Sequence, residues 1–185
     1  MVIIRPALEG DIASVAAMAA QLVRYHHGLD PFRFMSVPGV EEGYRRFLRG
    51  EMRSGDVVIL VALREADRTS PDFEPEGHDE AARVIGYTYA RIEPRNWNDL
   101  LDRCGKIHDV FVAEEERGRG VARKLVSETI HQLEELGVPR IVLLTATENV
   151  EGQNLFASLG FRRTMVEMTR ENTRPARRSV PPPER

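Results

Sequence analysis

At 185 residues the chain has room for one domain with a sizeable core, and its net charge of −3, with 30% charged residues, leaves no basic footprint for nucleic acid or an anionic membrane. A single cysteine, Cys104, excludes a disulfide framework within the chain, and only two of the 26 basic residues, Lys106 and Lys124, are lysines, which leaves two candidates for lysine-based covalent chemistry. The longest apolar run, Val57–Leu63, is far short of the roughly 20 residues of a membrane span, and the N-terminal run is too short for a signal peptide, so a soluble cytoplasmic protein is expected.

In chain order, Val2–Arg5 reads as a short strand ended by Pro6. A helix is expected from Glu9–Asp11, whose carboxylates suit its N-terminus, with Ile12, Val15, Ala16, Ala19, Leu22 and Val23 as its apolar stripe. The segment Tyr25–Met35 reads as irregular, and a second helix spans Pro38 to Met52. Strands follow at Val57–Leu63 and Val84–Ile92, joined by the polar stretch Arg64–Ala82, expected as a long flexible hairpin loop. The strand Lys106–Val112 leads into a helix from Gly120 to Leu136, stopped by Gly137 and Pro139. Ile141–Thr145 reads as a strand covered on both faces, Val150–Leu159 as a short helix, Phe161–Thr169 as a last strand, and residues from Arg170 as a flexible tail. This order predicts an α/β fold, a mixed sheet covered by helices, in one domain over residues 1–169.

The informative segment is Arg117-Gly-Arg-Gly-Val-Ala122, between a strand and an amphipathic helix. Gly118 and Gly120 carry no Cβ, so backbone can approach a ligand closely. A helix N-terminus leaves about four amides without intrahelical partners and about half a positive charge, a site that favours phosphate or pyrophosphate. Arg117, Arg119 and Arg123 add charge nearby. The alternative is a glycine-eased turn with a solvated arginine face. The Walker pattern is absent, and the dinucleotide fingerprint that starts at Gly118 and Gly120 meets Arg123 where glycine or alanine is required.

The string from Ile107 through Arg117-Gly-Arg-Gly-Val-Ala122 to Leu125 resembles the acyl-CoA-binding motif of the GNAT superfamily of N-acetyltransferases, [QR]-x-x-G-x-[GA], with Arg117, Gly120 and Ala122 at the specified positions. The string Asn149 to Phe161 resembles that family's second motif, and Ile4-Arg-Pro-Ala with Asp11 its opening. The resemblance implies a mostly antiparallel sheet whose fourth and fifth strands splay apart, with acetyl-CoA as cosubstrate in the gap. It implies that the backbone of Val110, Phe111 and Val112 pairs with the pantetheine arm and that Arg117, Gly118, Arg119, Gly120, Val121 and Ala122 hold the pyrophosphate. It also implies that Asn149 touches the pantetheine arm; a plain helix cap is the other reading of that residue.

Acetyl transfer to a primary amine needs a neutral nitrogen, a donor for the thioester oxygen and an outlet for the thiolate. The resemblance implies that the Val110 amide is the donor. His108 and Asp109 are the candidate bases, expected on opposite faces of their strand, with a structural or substrate-positioning role the preferred reading of Asp109. His108, which stands where some members carry glutamate, has the better unperturbed acidity, but a packed histidine is an equal reading. Phe156 stands where many members carry a tyrosine acid and cannot donate a proton; Tyr87 and Tyr89 are the nearby phenols. No metal site is expected, since Cys104 and His108 lack a second pair. His26 and His27 fall where the family builds acceptor sites. The expected function is an acetyl-CoA-dependent N-acetyltransferase with an amine acceptor, no nucleic-acid or membrane partner, and a homodimer as a possibility; the alternative is a non-catalytic acyl-CoA-binding protein of the same fold.

Overall fold

The apolar periodicities assemble into a five-stranded sheet with helices on both faces. The computed structural model describes residues 1–65 and 83–171, so most of the expected hairpin loop and the tail from residue 172 lie outside the described residues. The strands are β1 (Val2–Pro6), β2 (Val57–Arg64), β3 (Arg83–Glu93), β4 (Cys104–Val112) and β5 (Ile141–Leu143), in the spatial order of the sequence. The first three pairings are antiparallel; β4 and β5 are parallel and touch only through Gly105–Ile141, Lys106–Val142 and Ile107–Leu143. Beyond Leu143 the two strands part, and this is the mixed, mostly antiparallel sheet with splayed central strands that the resemblance implied.

The helices are α1 (Ile12–Leu29), α2 (Val40–Glu51), α3 (Val121–Glu135) and α4 (Val150–Ser158). Alternate side chains of β2, β3 and β4 divide the core in two. Leu60, Ile85, Ala90 and Ile107 pack with Leu125, Val126 and Leu133 of α3. Ile59, Val61, Tyr87, Tyr89 and Phe111 pack with Ile12, Val15 and Ala19 of α1 and Leu48 of α2. Gly86 lets α3 sit this close: a Cβ there would lie 2.7 Å from the Phe111 carbonyl and 3.2 Å from Leu125 Cδ1. The start of α1 is fixed by Asp11, whose Oδ2 accepts from the Leu8 amide at 2.7 Å and from Arg5 Nη1 at 2.6 Å.

Four expectations need correction. Tyr25–Leu29 is not irregular: α1 continues through both histidines before it ends at Leu29. β5 stops at Leu143 and is only half-buried, because β4 has already turned away and Leu144 faces solvent. Phe161–Thr169 forms no strand; Phe161 packs against the core, whereas Met165, Val166 and Met168 are exposed, and among the described residues no neighbouring strand offers the backbone a ladder to join. Finally, β4 carries a bulge: Tyr89 pairs with Asp109 and Ala90 with Ile107, so His108 has no partner across the ladder. The extra residue shifts the side-chain alternation. His108 stacks on Tyr89 and Asp109 bonds Tyr87, so both lie on the α1–α2 face and not on opposite faces.

Candidate active site

The gap between β4 and β5 opens into a cleft of about 450 Å³ that runs to the start of α3. At that end Gly118 and Gly120 take left-handed backbone, with φ of +72° and +77°, and Gly120 caps α3. Nothing lies within 4 Å of where either Cβ would stand, so the backbone faces open space. L-residues adopt this conformation at a cost of about 1–2 kcal/mol, and glycine adopts it freely. The turn is held from behind. Glu116, 5% exposed, accepts Arg64 Nε of β2 at 2.7 Å, and this ion pair, helped by Arg119, holds its carboxyl below the usual range. Arg117 Nε donates to the Val112 carbonyl at 3.3 Å.

Strand geometry aims the rest of the backbone. The Ala113 amide donates to the Ile85 carbonyl of β3. Hydrogen-bonding groups alternate sides along a strand, so Val110 and Val112 direct theirs away from β3, toward the edge that β5 abandons. Val110, Phe111, Val112, Arg117, Gly118, Gly120, Val121, Ala122, Asn149 and Phe156 all line the cleft. Arg119 does not; its guanidinium leans to Glu116 at 3.5 Å. Asn149 caps α4, its Oδ1 accepting from the Gly152 amide at 3.0 Å while its Nδ2 donates to Thr145 Oγ1 at 3.3 Å. Phe156 packs edge-on against Phe161 and offers the cleft no donor.

A second cavity, about 520 Å³, opens on the α1–α2 face between α2, the segment before it and the ends of Tyr89, His108 and Asp109. His108 borders both cavities. Its Nε2 donates to Glu93 Oε1 at 2.9 Å, which leaves Nδ1 as the ring's lone-pair nitrogen. Asp109 is buried, and burial pushes its carboxyl up; the Tyr87 hydroxyl, which donates to it at 3.0 Å, offsets part of that rise. Burial and the Asp109 charge push the Tyr44 phenol up to about 12. Tyr87 is fully buried against Asp109, and Tyr89 donates to Glu51 at 2.6 Å, so both phenols are committed within the α1–α2 side of the sheet. His26 lines the cleft with its Nδ1 on the Leu22 carbonyl, whereas His27 is turned to the Phe34 carbonyl. The place of Glu93, Tyr44 and Phe47 beside this site escaped the sequence reading, since nothing local to the sequence ties them to His108.

The sequence model of the acetyltransferase (GNAT) family matches residues 58–161, more than half of the chain. The chain belongs to the GNAT acetyltransferase family. Among curated relatives of this GNAT chain, the mycothiol acetyltransferase of Pseudarthrobacter chlorophenolicus is 30% identical over 95 residues, which are 49% of this chain and 29% of that protein. The chain thus spans about a third of the length of the curated relatives it matches. Solved structures share the GNAT fold at lower identity. A tetramutant of the BH1408 protein from Bacillus halodurans superposes with a TM-score of 0.70 at 20% identity, covering 92% of this chain and 99% of that one. AAC(6')-Iy, in complex with a CoA-linked acetylneamine bisubstrate analog, superposes with a TM-score of 0.65 at 18% identity, covering 93% and 99%. No helix among the described residues is long and apolar enough to cross a membrane.

Proposed function

We propose that this chain transfers the acetyl group of acetyl-CoA to a primary amine by direct attack. The observation that carries the reading is His108, a titratable side chain at the junction of a cleft with a backbone anion cradle and a separate cavity large enough for a small acceptor. Two features support the cosubstrate: two left-handed glycines face open space, and the first turn of α3 leaves amides without intrahelical partners, which favour a pyrophosphate. Arg117, Gly118, Gly120, Val121 and Ala122 would hold it, and Val110 and Val112 would pair with the pantetheine arm. Asn149 would contribute as the cap that sets the cleft's far wall.

In this reading Glu93 fixes the His108 tautomer, and Nδ1 takes the proton that the ammonium must lose before its nitrogen can attack. The Val110 amide donates to the thioester oxygen as negative charge builds there, a contribution of roughly 3 kcal/mol in a preorganised site. Phe156 cannot protonate the departing thiolate, so coenzyme A leaves as the thiolate and takes a proton from solvent, while the attacking nitrogen sheds its remaining extra proton as the amide forms. Asp109 lies beside His108 and helps to seat the acceptor.

The test is free-thiol release from acetyl-CoA by the purified chain across a panel of primary amines, with calorimetric titration of acetyl-CoA alongside. Micromolar binding and amine-dependent thiol release are expected. Phe156 favours one rival, a non-catalytic acyl-CoA-binding protein; binding without thiol release for any amine would select it. No binding at all would defeat the cradle assignment.

A further inference from the structure

The second cavity has a chemical character that narrows the acceptor. Its walls are apolar or aromatic: Val37 and Val40, then Tyr44 and Phe47 on α2, with Tyr89 and His108 on the sheet. The rings form a continuous series, Tyr44 edge-on to Phe47 at 6.3 Å, Phe47 edge-on to Tyr89 at 5.5 Å, and Tyr89 stacked on His108 at 5.2 Å. Among the described residues one carboxylate lines the cavity, that of Asp109, and its hydrogen-bond partner is a neutral phenol, Tyr87. The one guanidinium in the lining among the described residues, Arg46, is on an exposed residue and so belongs to the rim.

We propose that the acceptor is a small primary amine with an apolar body, aryl or branched alkyl, whose nitrogen lies at His108 and Asp109 and whose body packs on Tyr44, Phe47 and Val40. This deepens the acetyltransferase reading above and rests on it. A single buried carboxylate matches a single cationic nitrogen, and aromatic faces favour both that cation and an apolar body. A polyamine would bring further charges to walls with no carboxylate to meet them. An amino sugar would bring hydroxyls to walls with few polar partners, and an unmet hydroxyl is costly. A peptide held by strand addition would need a free strand edge in this cavity. β3 is paired on both sides, and the free edge of β4 opens into the other cleft.

The test uses the full chain with acetyl-CoA, whose binding is first established by calorimetry. Thiol release is then compared for 2-phenylethylamine, isoamylamine, spermidine, glucosamine and a lysine-containing peptide. The expected kcat/KM for the two apolar amines exceeds that of the other three by roughly 10- to 100-fold, the range for burying one apolar group. Higher kcat/KM for spermidine, glucosamine or the peptide overturns the acceptor assignment and leaves the acetyltransferase reading intact. If acetyl-CoA binds and no amine reacts, titration of the same amines into the CoA-loaded chain decides: tighter binding of the apolar pair supports the assignment, and equal or weaker binding overturns it. Failure to bind acetyl-CoA defeats the parent reading, and this one falls with it. Phe47 is half-exposed, so Phe47→Ala does not put the fold at risk. It should raise KM for 2-phenylethylamine about tenfold and by more than it raises KM for spermidine, with acetyl-CoA affinity unchanged. An equal loss for all amines would mark Phe47 as structural and overturn the aromatic seat.

Discussion

His108 owes its position to being the residue the ladder leaves out. The bulge turns it onto the same face as Asp109, and the Tyr89 ring and the Glu93 carboxylate then hold the imidazole at the meeting of two cavities. If it is the base, His108→Ala should lower kcat by roughly 10²- to 10⁴-fold, the usual contribution of a positioned base, with acetyl-CoA affinity unchanged by calorimetry. An unaltered kcat across the pH range would make it a packing residue. Gly120 is a cleaner case, because its role is in the backbone. Gly120→Val would force a β-branched residue to φ +77° and fill open space at the cradle. The expected result is at least about a tenfold rise in the acetyl-CoA dissociation constant, from strain of about 1–2 kcal/mol and the lost approach together. Unchanged affinity would remove the cradle from the site.

At the scale of elements, the close approach of α3 to β3 and β4 sets the geometry of the cleft, and Gly86 is its contact point. A methyl group there would meet the Phe111 carbonyl and two side chains, Leu125 and Val112, at once. Gly86→Ala should therefore lower stability by about 1–3 kcal/mol, as overpacking does, and weaken acetyl-CoA binding as β4 shifts. A denaturation midpoint equal to that of the unaltered chain would show that the sheet gives way freely. The strand–loop–helix unit around this contact was legible in the sequence because three local signals agreed: an apolar strand, two glycines and a helical stripe ended by Gly137. The segment after Phe161 misled for the opposite reason. Its composition suits a strand, but a strand also needs a partner, and none among the described residues lies alongside it. The bulge at His108 was hidden too, since which residue a ladder skips depends on the register of two strands and not on one of them.

At the scale of the molecule, the glycine turn proposed as the anion cradle was legible and the cavity proposed for the acceptor was not. The cradle is built within six consecutive residues, Arg117–Ala122, whereas the cavity draws on α2, the segment before it, β3 and β4. The cavity's buried carboxylate also couples the site to global stability. Burial pushes the Asp109 carboxyl above its ordinary value, so between that ordinary value and the raised one the folded chain holds a proton that the unfolded chain has released. Stability from this group therefore falls as pH rises through that window and is level above it. Asp11 runs the other way. Burial pushes it up as well, but the Arg5 ion pair and the Leu8 amide outweigh burial and leave it lowered, so its contribution is present above the ordinary carboxylate pKa and lost as pH falls through the lowered one. Asp109→Asn keeps an acceptor for the Tyr87 hydroxyl and removes the charge. Urea midpoints of the two chains should then coincide below the ordinary carboxylate value, about 4, and separate in favour of the variant as pH rises to 8. The same variant should bind amines less well, since it gives up the carboxylate that meets the ammonium. Midpoints that differ by a constant amount at every pH would show that Asp109 is not the carboxyl that folding holds protonated.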